Sequence, residues 1–189
     1  LKTTCLVTDN GYHSQPNLSE LLQAGFDFLT LVKTSLVWVR DEIDRHRKDF
    51  DGIVTACPFD TSTHGVTVML MRDFQKVRKY GGKASGKQAG DVDTFSRRIY
   101  LHLFFNQMRQ AEDRVAFDTE LMDIKSLLEE GKQLEELSEP AQKKAKKYLR
   151  ISRRGGRLSV TFDEQACADA NKYHGFFALV ANKEKDTFE

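Results

Sequence analysis

One acidic residue, Asp9, follows a predicted strand, and this position suits a metal ligand. Asp9 follows the apolar, β-branched run Thr4–Thr8 and opens the sequence Asp-Asn-Gly, which is typical of a turn. In α/β sheets, side chains at the carboxyl ends of buried strands face the ligand-binding cleft. Because Mg²⁺ prefers carboxylate and water oxygens, Asp9 is a candidate metal ligand. The alternative is that Asp9 only caps its turn, and its own residues leave both interpretations open.

A second group of residues has the charge needed to bind phosphate. Residues 141–157 are rich in Lys and Arg and contain no acid, while the whole chain has a net charge of only +1. The pattern predicts local contact with a DNA backbone. The alternative is a solvated basic helix face that balances the acidic stretch 112–139. The candidate DNA-binding residues are Lys143, Lys144, Lys147, Arg150, Arg153, Arg154 and Arg157.

The remaining reactive side chains form no recognisable motif. The histidines have no metal-ligand spacing, and the three cysteines lie too far apart for a zinc knuckle, which favours a reducing, cytoplasmic environment. Periodicity predicts that Trp38 is a core residue and that Cys5 packs inside a buried strand. No apolar run approaches the roughly 18–20 residues of a membrane span.

The elements around Asp9 predict a parallel β-α-β unit. Strand Thr4–Thr8 is followed by a helix that Ser14 caps, that has Pro16 in its first turn and that ends at Gly25. The apolar run Phe26–Val32 then forms a second strand. A short crossover helix requires the two strands to be parallel, with burial on both faces.

The rest of the chain predicts a mixed succession of elements. Residues 49–64 are rich in turn formers, Glu139-Pro140 breaks a long helix, and the glycine-rich stretch 80–93 predicts a flexible loop. Predicted helices cover 36–47, 107–130, 141–149 and 163–173, and predicted strands cover 65–74, 98–105, 157–162 and 175–180.

Two segments resemble a known enzyme family. Leu6–Lys33 resembles the second-aspartate segment of DDE-type insertion-sequence transposases, in which a strand ends in Asp, a small residue and an aromatic follow, and a leucine-rich helix leads to a strand ending in a basic residue. Residues 163–183 are similar to the segment before the catalytic Glu of these enzymes, which reads Gly, two aromatics, an apolar residue, Val, Thr or Ala, and Asn.

The resemblance implies a function for the intact protein. It would be a bacterial cut-and-paste transposase with an RNase-H-like catalytic domain, in which Asp9 is the second catalytic Asp and ligates Mg²⁺ or Mn²⁺. Its partners would be the transposon ends and the target DNA, without a membrane, and the resemblance is compatible with a homodimer.

The same resemblance implies that the catalytic site is incomplete. The first catalytic Asp would precede Leu1, and the helix bearing the catalytic Glu with its Tyr-Arg-Glu-Lys signature would follow Glu189, so we expect an inactive internal fragment. The expected fold is α/β, a partial RNase-H-like fold over 1–33 and 157–189 with an α+β insertion subdomain over 34–156. The alternatives are a non-enzymatic nucleic-acid-binding module and a small receiver-like domain.

Overall fold

The chain forms a mixed α/β structure. The computed structural model describes residues 5–9, 11–78, 80, 88–154, 157–183 and 187–188, and it describes residues 153, 154 and 157 without their side chains. Within these residues the chain divides into two compact units. The first unit comprises Leu1–Phe105 and Phe176–Glu189, and the second comprises Asn106–Gly175.

The described elements, in chain order, are five α-helices and eight strands. They are β1 (Cys5–Thr8), α1 (Gln15–Ala24), β2 (Asp27–Val32), α2 (Val37–His46), β3 (Ala56–Cys57), β4 (Asp60–Val77), β5 (Val92–Asn106), α3 (Gln107–Glu129), α4 (Glu139–Tyr148), β6 (Leu149–Arg154), β7 (Arg157–Phe162), α5 (Glu164–Asn171) and β8 (Phe176–Ala181). Short 3-10 turns cover Arg47–Asp51, Ile53–Thr55 and Leu134–Glu136.

A six-stranded sheet organises the first unit, in the order β1-β2-β8-β5-β4-β3. β1 is parallel to β2, in a register that runs from Cys5 opposite Asp27 to Thr8 opposite Thr30. β8 is antiparallel to both of its neighbours, β2 and β5. The predicted parallel pairing of the first two strands is therefore confirmed, and the strand before Asn182 joins the same sheet.

Helix α1 produces that parallel pairing, and its ends lie close to where the sequence predicts them. Ser14 Oγ accepts a hydrogen bond from Asn17 N at 3.2 Å, and proline lies in the first turn. Gly25 ends the helix in the left-handed conformation, at φ 76°, which favours glycine. The helix thereby returns the chain from the end of β1 to the start of β2.

The side chains of Asn182 and Lys183, which follow β8, bond to residues of β2 and its start. Asn182 Nδ2 donates to Phe26 O at 3.0 Å, and Asn182 Oδ1 accepts from Phe28 N at 2.9 Å. Lys183 Nζ lies 3.1 Å from Asp27 Oδ2. One amide side chain thus continues the hydrogen-bonding pattern of the strand pair beyond the end of β8.

The core of the first unit is centred on one face of the sheet, although β5 also buries Tyr100, His102 and Phe104 on the opposite face. Thr30 and Leu101 both stand opposite Val180, so these three side chains share a face, and all three are buried. Phe50, which follows α2, packs its ring edge-on against Phe176 on that face, at 5.3 Å between centroids. Each large apolar side chain buried here contributes about 1.5–3 kcal/mol of hydrophobic free energy.

The prediction that β1 is buried is wrong. Cys5 is exposed, and Val7 is 75% exposed. β1 is the terminal strand of the sheet, so a neighbour covers only one of its edges, and Cys5 is not the internal packing residue that the sequence predicted. In β2, by contrast, alternate residues from Phe28 onward are buried.

The second unit has its own core. It contains the hairpin β6-β7 and the helices α3, α4 and α5, and its buried apolar cluster consists of Ile124, Leu128, Leu137, Ala145, Leu149 and Val160. Asp163 caps α5 as predicted, accepting from Ala166 N at 3.1 Å. The sequence did not predict β6, and Glu139-Pro140 begins α4 in addition to separating it from α3.

The boundaries of the two units differ from the predicted domain boundaries. β4 and β5 are longer than the predicted strands 65–74 and 98–105, and both lie in the six-stranded sheet with β1, β2 and β8. The compact second unit therefore starts at Asn106 and ends at Gly175, instead of extending from 34 to 156. Half of the predicted loop 80–93, namely 81–87, lies outside the described residues.

Gly175 provides a test of the packing in the second unit. It has φ +80°, and a Cβ there would lie 2.7 Å from Asn106 O, whereas Gly131 has φ +102° and open space around it. We expect Gly131→Ala to lower the free energy of unfolding by about 1–2 kcal/mol through backbone strain alone. Gly175→Ala should cost about 1–3 kcal/mol more, because the backbone contact must also be relieved. Chemical unfolding of both variants measures this difference, and equal losses would contradict it.

Candidate functional site at the strand end and its neighbouring cavity

Asp9 lies at the carboxyl end of β1 and its side chain is exposed. Its Oδ1 accepts a hydrogen bond from Gly11 N at 3.0 Å, and its carbonyl oxygen accepts from Tyr12 N at 3.2 Å. The carboxylate therefore does cap the turn, as the simpler interpretation predicted. That role uses Oδ1, which leaves Oδ2 available to a ligand.

Two threonines fix the backbone at Asp9. Thr8 Oγ1 donates to Thr30 Oγ1 at 2.7 Å, and Thr30 Oγ1 in turn lies within 3.3 Å of Asp9 O. Thr30 is 1% exposed, so this link between β1 and β2 is shielded from water. The strand end that carries Asp9 is therefore held by its neighbour as well as by its own turn.

Among the described residues, the carboxylate of Asp9 does not belong to a set of metal-ligating side chains. No group of three or more His, Cys, Asp or Glu side chains is arranged to hold a metal ion in the described part of the chain. Asp9 can supply one carboxylate ligand, and its role as a metal ligand remains a prediction.

A cavity of about 390 Å³ opens beside the start of α1. The imidazole of His13 stacks loosely on Trp38, with 6.4 Å between ring centroids, and the guanidinium carbon of Arg72 lies 4.5 Å from the centre of the Trp38 ring. Trp38 is only partly buried and lines this cavity, so the prediction that it is a core residue is wrong. Helix periodicity could not reveal this, because the contacts are with His13, which precedes α1, and Arg72 on β4, and both are distant in sequence.

The charges that act most on His13 at the cavity are positive, although Asp73 also lines the cavity. Burial lowers the pKa of His13 below its ordinary value of 6.5, and the charges of Arg72 and Lys33 lower it further. A backbone hydrogen bond acts in the opposite direction. The histidine is therefore neutral near pH 7, and Arg72 supplies the positive charge at the cavity.

The predicted DNA-binding lysines and arginines belong to the second unit, and several have acidic partners. Lys143 Nζ lies 2.6 Å from Glu139, Lys144 pairs with Glu120, and Arg150 lies 3.1 Å from Asp163. The ammonium group of Lys147 lies over the ring of Tyr148, 5.0 Å from its centroid. Arg154 and Arg157 are opposite each other in the hairpin, but their side chains and that of Arg153 lie outside the described residues.

These pairs bear on both interpretations of the basic stretch. Salt bridges to acids nearby in the same unit are what a balancing helix face requires, although exposed pairs of this kind each contribute little stability and exchange readily. DNA contact by the hairpin arginines remains a prediction.

A second basic surface, which the sequence did not single out, lies in the first unit. Arg97, Arg98 and Lys183 line an open groove of about 550 Å³ together with Met71 and Tyr100. Arg97 also stacks on Phe95, with its guanidinium carbon 5.4 Å from the ring centre. Neighbouring residues of β5 and the end of β8 bring these cations together, and that pairing is not visible in the sequence.

The environment of His13 leads to a testable pKa prediction. We expect the pKa of His13 to lie below 6.5, and Arg72→Gln to raise it, because the substitution removes a positive charge that opposes protonation of the ring. NMR titration of the imidazole C–H signal measures both values. Since the folded state favours neutral His13, its contribution to stability is complete above pH 6.5 and declines as the pH falls toward the lowered pKa.

A second substitution tests whether the loss of any stacked arginine would change the pKa of His13. Arg97→Gln removes a guanidinium that stacks on Phe95 instead of Trp38, so it should leave the pKa of His13 unchanged. An equal shift in both variants would contradict a specific effect of Arg72.

Comparison of the chain with protein-family models, with curated proteins and with solved structures finds no match. In the part of the chain that the structure describes, no helix is both long and apolar enough to cross a membrane. The function of the chain must therefore be inferred from its residues and their geometry.

Proposed function

We propose that this chain is part of the catalytic region of a DDE-type insertion-sequence transposase with an RNase-H-like fold. The intact protein would cut the transposon ends and transfer them to target DNA in the bacterial cytoplasm, with DNA as its main partner and a homodimer as its assembly. The observation that carries the proposal is the attachment of Asn182 to β2.

Asn182 connects the two segments on which the family resemblance depends. It is the Asn that ends the residue pattern of the second segment, and its amide bonds to the backbone on both sides of Asp27, inside the first segment. β2 and β8, which also come from these two segments, are direct neighbours. The strands of two patterns that are separated by most of the chain thus belong to one sheet, whereas α5, the helix of the second pattern, lies in the second unit. The shared sheet supports the origin of the two patterns in one catalytic fold.

The chemistry of Asp9 fits one ligand position for Mg²⁺ or Mn²⁺. It is an exposed carboxylate on a fixed strand end, with Oδ2 not used by the turn. In such enzymes the bound ions activate the attacking oxygen and stabilise the leaving oxygen. Asp9 would hold and orient the ion, and further carboxylates would be needed for catalysis, so the chain alone should be inactive.

A non-enzymatic nucleic-acid-binding module is the second candidate. The groove with Arg97, Arg98 and Lys183 favours it, because cations around an open surface could contact phosphates, although Lys183 would have to exchange its ion pair with Asp27. A receiver-like domain is less consistent with the structure, since β8 is antiparallel to both of its neighbours.

Manganese binding tests the proposed role of Asp9. We expect Mn²⁺ to broaden the NMR signals of the Gly11 and Tyr12 amides, with a millimolar dissociation constant that suits one carboxylate with water in the other positions. Asp9→Asn should abolish this broadening because it removes the charged ligand.

Asp60 provides a matched control for that experiment. It is exposed, and its Oδ1 accepts from Ser62 N at 3.0 Å, two residues ahead, as Asp9 does from Gly11 N. Asp60→Asn should leave the broadening near Asp9 unchanged. Equal broadening around Asp9 and Asp60 would mean that Asp9 is only a turn cap. Tight, stoichiometric binding lost in Asp9→Ala would mean that the chain contains further ligands.

DNA binding by the basic hairpin has its own test. We expect the chain to bind duplex DNA weakly and without sequence preference, with affinity that falls as salt rises. Replacing Arg153, Arg154 and Arg157 by Ala should flatten the salt dependence by up to about 3 units, near one for each lost phosphate contact. An unchanged slope would favour a basic face that only balances nearby acids, and loss of slope in Arg97→Gln and Arg98→Gln instead would assign DNA contact to the groove.

A further inference from the structure

The lining of the cavity beside His13 combines apolar and polar residues. Its apolar residues, which we call the floor, are Leu18, Leu36, Phe74, Ile99 and Val180, and its other residues, which we call the rim, are His13, Ser14, Gln15, Trp38, Arg72 and Asp73. Sites for small molecules commonly combine such an apolar floor with a few convergent polar groups, in volumes of roughly 300–1,000 Å³. At about 390 Å³ this cavity is large enough for one ring-sized group.

Arg72 is the cationic group of the rim, and Asp73 is its acidic group. Among the residues that the structure describes, no carboxylate lies within salt-bridge distance of its guanidinium, which instead stacks on Trp38. The adjacent Asp73 is already engaged: its side chain accepts from Ser96, and its backbone oxygen accepts from Gln15 Nε2 at 3.0 Å. A half-buried guanidinium that is held by stacking retains N–H donors for an anion.

Other groups around the cavity reinforce a preference for anions. His13 faces the positive charges of Arg72 and Lys33. Its neutral ring can donate or accept a hydrogen bond, and the Ser14 hydroxyl, whose oxygen accepts from Asn17 N, still has a proton to donate. The ring of Trp38 gives a flat apolar wall above the floor.

We propose that this cavity binds an organic anion, whose oxyanion group contacts Arg72 and whose flat apolar body lies on the floor beside Trp38. The shared chemistry is a phosphate or carboxylate attached to a ring. This site is separate from the metal role of Asp9 and does not depend on the proposed function.

The chain has a single tryptophan, so the indole N–H of Trp38 gives one NMR signal that reports directly on the cavity. Adenosine monophosphate is the phosphate probe and benzoate is the carboxylate probe, with adenosine and inorganic phosphate representing the two halves of the first probe. We expect adenosine monophosphate or benzoate to shift the Trp38 signal with a dissociation constant of about 1 mM or lower. Adenosine and inorganic phosphate should each bind at least about tenfold more weakly.

Two substitutions of Arg72 separate charge from shape. Arg72→Gln should weaken binding of the anionic probe by about 10–100-fold, since a hydrogen bond to a charged group is lost. Arg72→Lys should retain part of the affinity, because the charge remains while the planar, stacked donor is lost. Arg47→Gln, which removes an arginine stacked on Phe176 outside the cavity, should bind like the unchanged chain. Thermal unfolding of each variant verifies that the fold is retained.

The outcomes are distinct. Binding by adenosine monophosphate alone identifies the source as a phosphate ester, and binding by benzoate alone identifies it as a carboxylate. Equal binding of adenosine and adenosine monophosphate would overturn the proposal, since the anion would then not be recognised. The same conclusion would follow from unchanged affinity in Arg72→Gln, or from the absence of any Trp38 shift at millimolar probe.

Discussion

The pairing of β2 with β8 is the constraint on which the first unit depends. β2 lies near the start of the chain and β8 near its end, yet they are antiparallel neighbours, and Asn182 extends their hydrogen bonding beyond the last residue of β8. β8 also pairs with β5, so it connects the parallel pair β1-β2 to the long strands β4 and β5. Without β8, the sheet would separate into the pair β1-β2, which is too small to be stable alone, and the three strands β3, β4 and β5. Local helix and turn preferences cannot substitute for this long-range pairing.

Burial in this sheet follows strand position more than strand composition. β1 and β2 have similarly apolar sequences, but β1 is an edge strand and exposes Val7, whereas β2 has neighbours on both sides and buries Phe28 and Thr30. The sequence predicted the β-α-β unit and its parallel pairing correctly, because Ser14, Gly25 and the short crossover helix determine them locally. It could not predict the exposure of β1, because sheet order depends on which distant strand pairs with which.

The same distinction separates what could be predicted of the candidate site from what could not. The position of Asp9 follows from residues next to it in sequence, namely the strand before it and the turn after it. The contact of Trp38 with Arg72, by contrast, depends on how β4 passes α1, where Gln15 bonds to the backbone of Asp73. Strand β6 was missed because basic residues dominate its sequence, and its pairing with β7 and the burial of Leu149 are tertiary effects.

A single short turn connects the candidate metal ligand with the candidate anion cavity. Tyr12 N bonds to Asp9 O at 3.2 Å, and Tyr12 O accepts from Ser14 N at 2.9 Å and from Asn17 Nδ2 at 2.8 Å. Ser14 then caps α1, so each step from the end of β1 to the first turn of the helix is held by a hydrogen bond. His13 lies within this turn, between residues that these hydrogen bonds hold. The turn that begins at the carbonyl of Asp9 therefore also sets the position of the imidazole at the cavity.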